Sequence, residues 1–171
     1  APLVGIVMGP YLANRFGKKK VYLTAVIIST ALNLLRLLDV TSMILIYISA
    51  LIGGVAGGWM VPVSTSIQAD NTTYVQYKTG KRAEAAIASL TSFVSKVAQG
   101  LGGAIPGYVI PAYGFVTGAS VQPESINTGI ILCALILPLI FGILGSLIFG
   151  TQYTLDQKVV IEMDAKINRN N

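Results

Sequence analysis

A lysine stands in the middle of a long stretch, residues 85–113, that carries no other charge. Lys96 lies fourteen residues after Arg82 and seventeen residues before Tyr113. In a helix, which rises about 1.5 Å per residue, this is roughly 20 Å from the charged turn at Arg82. Inside a membrane, a cation at that depth normally faces a water-filled cavity or a carboxylate partner. We therefore interpret Lys96 as part of a substrate or cation pathway, with a structural ion pair as the alternative.

The polar neighbours of Lys96 follow a helical spacing. Ser89, Ser92, Lys96 and Gln99 are separated by three, four and three residues, which places them on one face of a helix. Thr91 flanks this stripe. Hydroxyl and amide groups suit hydrogen bonding to the hydroxyls of a sugar, although they also hold membrane helices together. Together with Lys96, the stripe favours a helix that lines an aqueous cavity.

Trp59 is the only tryptophan and follows Gly57 and Gly58 inside a second apolar stretch. An indole at that position can stack against the apolar face of a sugar ring, or it can be packed core. The pairs Gly53–Gly57, Gly54–Gly58 and Gly103–Gly107 have the spacing that lets helix backbones approach closely.

Ordinary enzyme chemistry has few residues to work with in this sequence. Histidine is absent, the single cysteine, Cys133, lies in an apolar run, and the carboxylates are not clustered. We therefore predict no catalytic residue, no metal site and no enzymatic activity.

The elements that carry these residues are predicted to be membrane helices. Only 11% of the residues are charged, against about 25% in soluble domains. Apolar runs approach or exceed the roughly 20 residues that cross a bilayer. We predict an all-α membrane protein with a transmembrane region at 1–149 and an amphipathic tail at 150–171. The expected spans are 1–13, 21–38, 43–67, 83–113 and 128–149. The first is about half a span long, which suggests a cut helix and hence a fragment.

The basic residues alternate between loops. The first and third loops and the tail are basic, whereas segments 39–42 and 114–127 contain no Lys or Arg. By the positive-inside rule, the basic loops and the C-terminus are expected on the cytoplasmic side of a multi-pass plasma-membrane protein. The same distribution argues against nucleic acid as a partner. The tail is expected to lie on the inner leaflet or to pack under the loops. Arg36 stands three residues before Asp39, which allows an ion pair at the other boundary.

Two loops carry a family resemblance. Residues 70–85 read Asp-Asn-Thr-Thr-Tyr-Val-Gln-Tyr-Lys-Thr-Gly-Lys-Arg-Ala-Glu-Ala, and residues 10–19 read Pro-Tyr-Leu-Ala-Asn-Arg-Phe-Gly-Lys-Lys. These resemble the tenth-to-eleventh and eighth-to-ninth helix loops of the glycoside–pentoside–hexuronide:cation symporters. This family of the major facilitator superfamily includes melibiose permease. The resemblance spans nearly the whole chain.

The resemblance implies part of the C-terminal half of a twelve-helix fold, from a truncated eighth helix to the twelfth. It implies that Lys96, Ser92 and Thr91 contribute to the sugar site, with Gln99 and Trp59 as further candidates. It implies a cytoplasmic gate of ion pairs, whose candidates are Arg15, Asp70, Lys78, Lys81, Arg82 and Glu84. Thr73 and Gln76 stand where the family usually has acids, which removes two charges from this gate.

The expected function is import of a sugar or glycoside, coupled to a cation gradient by alternating access. The expected partners are the lipid bilayer, the substrate and the missing N-terminal half. No cofactor is expected beyond a coupling cation, sodium or proton, bound mainly in that missing half. The alternatives are a major facilitator carrier of another solute and a non-transporting membrane scaffold.

Overall fold

The computed structural model describes residues 1–119 and 121–169, which form helices joined by short turns and contain no β-strand. The expected all-α fold is confirmed. The helices are α1 (Pro2–Phe16), α2 (Lys18–Leu38), α3 (Met43–Thr79), α4 (Glu84–Ala112), α5 (Ser125–Ile131), α6 (Leu137–Gln152) and α7 (Gln157–Arg169).

A single glycine separates α1 from α2. Gly17 has a φ of 88° and a ψ of 141°, a conformation that is open essentially only to glycine, and its N–H donates to the Ala13 carbonyl. The predicted basic turn therefore shrinks to one residue, and Lys18, Lys19 and Lys20 form the first turn of α2.

Helix α3 is much longer than predicted. Its 37 residues run without a break to Thr79, where Gly80 ends the helix in the left-handed conformation, with a φ of 68°. The loop expected at 70–84 is therefore mostly helix, and only residues 80–83 connect α3 to α4. At about 1.5 Å per residue α3 is roughly 55 Å long, well beyond a bilayer core of about 30 Å. Its last turns form an extension, residues 70–79, that projects past the apolar part of the helix.

The last apolar element is one helix with a wide turn in it. Helices α5 and α6 are joined by a π-helical segment, Leu132–Ile136, that contains Cys133. Pro138 follows directly and cannot donate a backbone hydrogen bond to the preceding turn. The wider turn is a usual way to accommodate such a break.

Helices α1 and α3 cross in close contact through glycine. A Cβ atom on Gly58 would overlap the Pro2 carbonyl, and one on Gly5 would overlap the Val55 carbonyl. The close approach predicted for the Gly54–Gly58 pair is thus confirmed. Gly103 and Gly107 have no neighbour within 4 Å among the described residues, so close packing at that pair stays a prediction.

The small core lies at the end of the bundle where the Gly17 turn, the α3 extension and the end of α6 meet, which we call the basic end. Its buried members come from α1, α2, α3 and the residue after α6: Ala13, Val21, Val63, Ile67 and Tyr153. Among the residues that the structure describes, three helices are long and apolar enough to cross a membrane, at Lys18–Leu38, Met43–Thr79 and Ser125–Gln152. The spans predicted at 1–13 and 83–113 correspond to α1 and α4, and their crossing of the membrane stays a prediction.

At the opposite end, Asp39 organises the turn between α2 and α3. Its carboxylate accepts hydrogen bonds from the Thr41 N–H at 3.0 Å, the Thr41 hydroxyl at 2.8 Å and the Ser42 N–H at 3.1 Å. These bonds, the Thr41 hydroxyl foremost, lower the pKa of Asp39. The ion pair expected between Arg36 and Asp39 is not formed, because the turn already satisfies the carboxylate.

Candidate functional site

The predicted polar stripe lies on a regular helix that other elements leave uncovered. Helix α4 contacts α3, α5 and the π-helical segment, and residues 88–104 are exposed on every face. Because the helix is regular, Ser89, Ser92, Lys96 and Gln99 share one face, and Thr91 lies about 100° around the axis from Ser92. The apolar faces are open as well, with Leu90, Phe93 and Leu101 between 58% and 66% exposed.

Lys96 lies twelve residues into α4. The ion pairs within residues 1–119 and 121–169 are Lys18–Asp70 and Arg82–Glu84, so the alternative of a structural pair finds no support in this part of the molecule.

Trp59 lies apart from the stripe. Its indole packs against the core at the basic end, and it lines an apolar cavity together with Met8, Leu12 and Val21 of α1 and α2. Its Nε1 is buried and has no hydrogen-bond partner among the described atoms. The structure therefore does not bring Trp59 and Lys96 to one site, and the role of Trp59 in sugar binding stays a prediction.

The most tightly built polar cluster joins three distant segments at the basic end. Both carboxylate oxygens of Asp70 accept hydrogen bonds from the Lys18 ammonium, each at 2.7 Å. The Tyr153 hydroxyl donates to the second of these oxygens at 3.3 Å. Asp70 is 6% exposed and Tyr153 is 8% exposed, so the cluster is closed to water on most sides. It links the start of α2, the α3 extension and the end of α6.

Burial makes this cluster sensitive to the loss of any member. Removal of one partner of a buried ion pair typically costs about 3–5 kcal/mol, because the other charge stays desolvated. The Lys18 side chain is still 20% exposed, so we expect the loss of stability on removing one partner of this pair to lie toward the lower end of that range. Burial, followed by the charge of Asp70, raises the pKa of Tyr153, so its hydroxyl stays protonated and can donate.

The gate candidates predicted from the sequence include Asp70 but neither of its partners, Lys18 and Tyr153. Their separations from Asp70, 52 and 83 residues, give no local pattern that could have revealed them.

The other gate candidates are exposed. Arg82 and Glu84 pair at 2.9 Å with side chains 74% and 62% exposed, so their pairing contributes little to stability. The Arg15 guanidinium lies 5.5 Å from the Phe16 ring centroid, and the Lys78 ammonium lies 6.0 Å from that of Tyr74. Lys81 is exposed. None of them joins the Asp70 cluster, and their role as a gate stays a prediction.

The amphipathic tail packs against the α3 extension, and its position on the inner leaflet stays a prediction. Helix α7 contacts the α3 extension, where the Lys166 ammonium lies 5.8 Å from the Tyr77 ring centroid. The segment 153–156 joins this helix to the Asp70 cluster through Tyr153.

The long apolar helices and the glycine-mediated crossing of α1 and α3 indicate a helical integral membrane protein. Comparison with protein families makes this specific, since residues 1–157 match the model described as MFS/sugar transport protein. The chain belongs to this family, and the predicted membership of the glycoside–pentoside–hexuronide:cation symporters is confirmed.

Curated relatives agree over nearly the whole chain. The glucuronide carrier protein homolog of Escherichia coli (strain K12) is 30% identical over 96% of this chain and 35% of its own length. The isoprimeverose transporter of Lactiplantibacillus pentosus is 27% identical over 73% of this chain and 26% of its own length. A Bacillus subtilis (strain 168) protein named "uncharacterized symporter YnaJ" is 32% identical over 87% of this chain and 32% of its own length. The chain thus spans about a third of the length of these relatives.

Proposed function

We propose that this chain forms part of a transporter that imports a sugar or glycoside, coupled to a cation gradient by alternating access. The observation that carries the proposal is the polar stripe of α4, with Lys96 at its centre and no covering element among the described residues. A cation on such a face, deep in a membrane helix, belongs in a water-filled pathway. The names of the relatives support a glycoside as cargo, and one of them supports symport.

In this proposal Lys96, Ser92, Thr91 and Gln99 line one wall of the substrate site. The opposite wall, the coupling-cation site and the other half of the rocking pair come from the two thirds of the relatives' length that this chain does not span. Sodium or proton is the proposed coupling ion.

The basic end is proposed to face the cytoplasm, in the plasma membrane, because the Lys and Arg residues of the loops and tail gather there. Asp70 is held inside this half by Lys18 and Tyr153, so it serves to fix the start of the α3 extension. The exposed members, Arg15, Lys78 and Lys81, with the exposed Arg82–Glu84 pair, would then meet the other half in the outward-facing state.

The test is uptake by the complete polypeptide in membrane vesicles, with labelled glucuronides, pentosides and disaccharides, with and without an imposed sodium or proton gradient. We expect gradient-dependent accumulation of one of them. Lys96→Ala should insert normally and lose accumulation, by at least about tenfold, because the cation of the proposed pathway is removed. Lys166→Ala, in the tail, is the matched control and should accumulate substrate like the wild type.

Normal accumulation by Lys96→Ala would overturn the role assigned to that lysine. No accumulation of any sugar by inserted wild-type protein would instead favour a carrier of another solute or a non-transporting scaffold.

A further inference from the structure

Two adjoining cavities at the basic end are not used by the proposed transport site. The first has a volume of about 550 Å³ and lies between the Gly17 turn and segment 153–158. Its wall carries Arg15, Lys19, Lys20 and Lys158 in addition to Lys18, with Asp156 as the single carboxylate. In the described part of the chain, the ion pairs are Lys18–Asp70 and Arg82–Glu84, so these four cations are not neutralised. Such a wall fits an anion.

The start of α2 adds to this positive field. Gly17 precedes the helix and offers no side chain to the first N–H groups, which belong to Lys18, Lys19 and Lys20. Free N–H groups and the positive end of the helix dipole favour a phosphate or carboxylate there.

The second cavity is apolar and shares part of its wall with the first. It has a volume of about 360 Å³ and is lined by Met8, Leu12, Val21 and Trp59. Phe16 and Lys20 line both cavities. The lining residues of α1, positions 8, 12 and 16, follow one face of the helix over roughly 12 Å. A basic cavity thus lies next to an apolar groove that runs along α1.

We propose that the two cavities form one binding site for an anionic phospholipid of the leaflet at the basic end. The phosphate would lie in the basic cavity, near Lys19, Lys20 and the start of α2, and one acyl chain would lie along the groove against Trp59. The charge favours an anionic headgroup over a zwitterionic one. The groove distinguishes a lipid from a free phosphate, because a soluble anion would leave the apolar walls uncovered. This site requires membrane insertion but not any particular transported solute.

Trp59 provides the probe, as it is the only tryptophan of the chain and lines the groove. The complete polypeptide in detergent would be titrated with phosphatidylglycerol that carries brominated acyl chains, which quench indole fluorescence on contact. Phosphatidylcholine with the same chains tests whether the headgroup must be anionic. Glycerol phosphate, which has no acyl chain, tests whether a soluble anion binds as well. The part of the quenching that Trp59→Phe abolishes belongs to this site.

We expect the half-quenching concentration of brominated phosphatidylglycerol to be at least about fivefold lower than that of brominated phosphatidylcholine. Lys19→Gln and Lys20→Gln should each raise the half-quenching concentration about fivefold, since a basic residue near the membrane surface is worth about 1 kcal/mol. Lys81→Gln removes an exposed lysine at the same end but outside both cavities, and it should bind the lipid as the wild type does. Met8→Phe should reduce the quenching by filling the groove, while circular dichroism shows an unchanged fold.

Equal half-quenching concentrations for the two lipids would overturn the proposed preference for an anionic headgroup. Binding of glycerol phosphate as tight as that of the lipid would show an anion site alone. Absence of Trp59 quenching would show that another segment of the complete polypeptide fills the groove.

Discussion

At the scale of single residues, Asp70 is the charged side chain that the described helices bury most completely, and its two partners come from distant parts of the chain. A carboxylate in that position needs its hydrogen bonds, because an unpaired buried charge is expensive. Lys18 supplies two of them, and Tyr153 supplies the third from a ring that stacks on Phe149, with centroids 4.8 Å apart. The cluster therefore stabilises the basic end through both charge and packing.

The hydroxyl of Tyr153 gives this cluster a measurable pH dependence. Burial and the charge of Asp70 raise the pKa of Tyr153 above its ordinary value of about 10. The folded state therefore keeps a proton that the unfolded state releases, and the stability from this group is constant below about pH 9 and falls above about pH 10. Tyr153→Phe should be about 1 kcal/mol less stable than the wild type at neutral pH, through the lost hydrogen bond. This difference should shrink as the pH rises toward about 11.

The measurement is thermal unfolding of wild type and Tyr153→Phe in detergent across this pH range. Tyr11→Phe is the control, because the Tyr11 side chain is 64% exposed and its hydroxyl interacts with Arg15 at 3.4 Å. A stability difference for Tyr153→Phe that stays constant across the range would show that its hydroxyl does not interact with Asp70 in the folded state.

Residue spacing was informative where function depends on one helix. The stripe of Ser89, Ser92, Lys96 and Gln99 could be predicted because helical periodicity alone places the four on one face. The Lys18–Asp70–Tyr153 cluster could not, since its members meet only after three helices have packed. Trp59 shows the same limit, because its depth was evident from the sequence but the direction of its side chain depends on α1 and α2.

At the scale of helices, the prediction of a loop at 70–84 is wrong, because α3 continues to Thr79. Five charged residues from Asp70 to Glu84 suggested a loop. The helix continues there because no glycine or proline interrupts it before Gly80. Charge content marks the end of a membrane span, whereas the end of a helix is set by backbone chemistry, and here the two ends differ by about three turns.

The glycine contact between α1 and α3 predicts opposite effects for alanine at two neighbouring positions, Gly58 and Gly57. A Cβ on Gly58 would overlap the Pro2 carbonyl, whereas a Cβ on Gly57 meets nothing within 4 Å. Gly58→Ala should therefore lower stability by about 1–3 kcal/mol, because the backbones must separate. Gly57→Ala should be neutral or stabilising by up to about 1 kcal/mol, because alanine favours the helix.

Thermal unfolding of the complete polypeptide, followed by circular dichroism, checks both variants under one condition. The same destabilisation at both positions would contradict a crossing through Gly58 and would indicate that either helix face is packed by other segments.

At the scale of the whole molecule, the described helices are packed unevenly. Helix α2 contacts α1, α3 and α6, and α1 contacts α3 as well, whereas α4 is exposed along residues 88–104. Large apolar surfaces and a polar stripe on the same helix cannot both face lipid at low cost. In the assembled transporter we therefore expect α4 to have two environments, with apolar residues against protein or lipid and the stripe toward water.

Cysteine accessibility distinguishes these environments in the complete polypeptide. Cys133 would first be replaced by alanine, and then Ser92→Cys and Leu90→Cys would be compared, since two residues along a helix differ by about 200° around its axis. If the stripe lines a water-filled cavity, a charged thiol reagent should modify Ser92→Cys at least about tenfold faster than Leu90→Cys, because an apolar environment raises the pKa of a thiol and suppresses the reactive thiolate. Protection of both positions would mean that the hydroxyls of α4 hold helices together, and the substrate pathway would then have to lie along another face of the molecule. Faster modification of Ser92→Cys that slows when a glycoside is added would place the substrate in that cavity, beside Lys96.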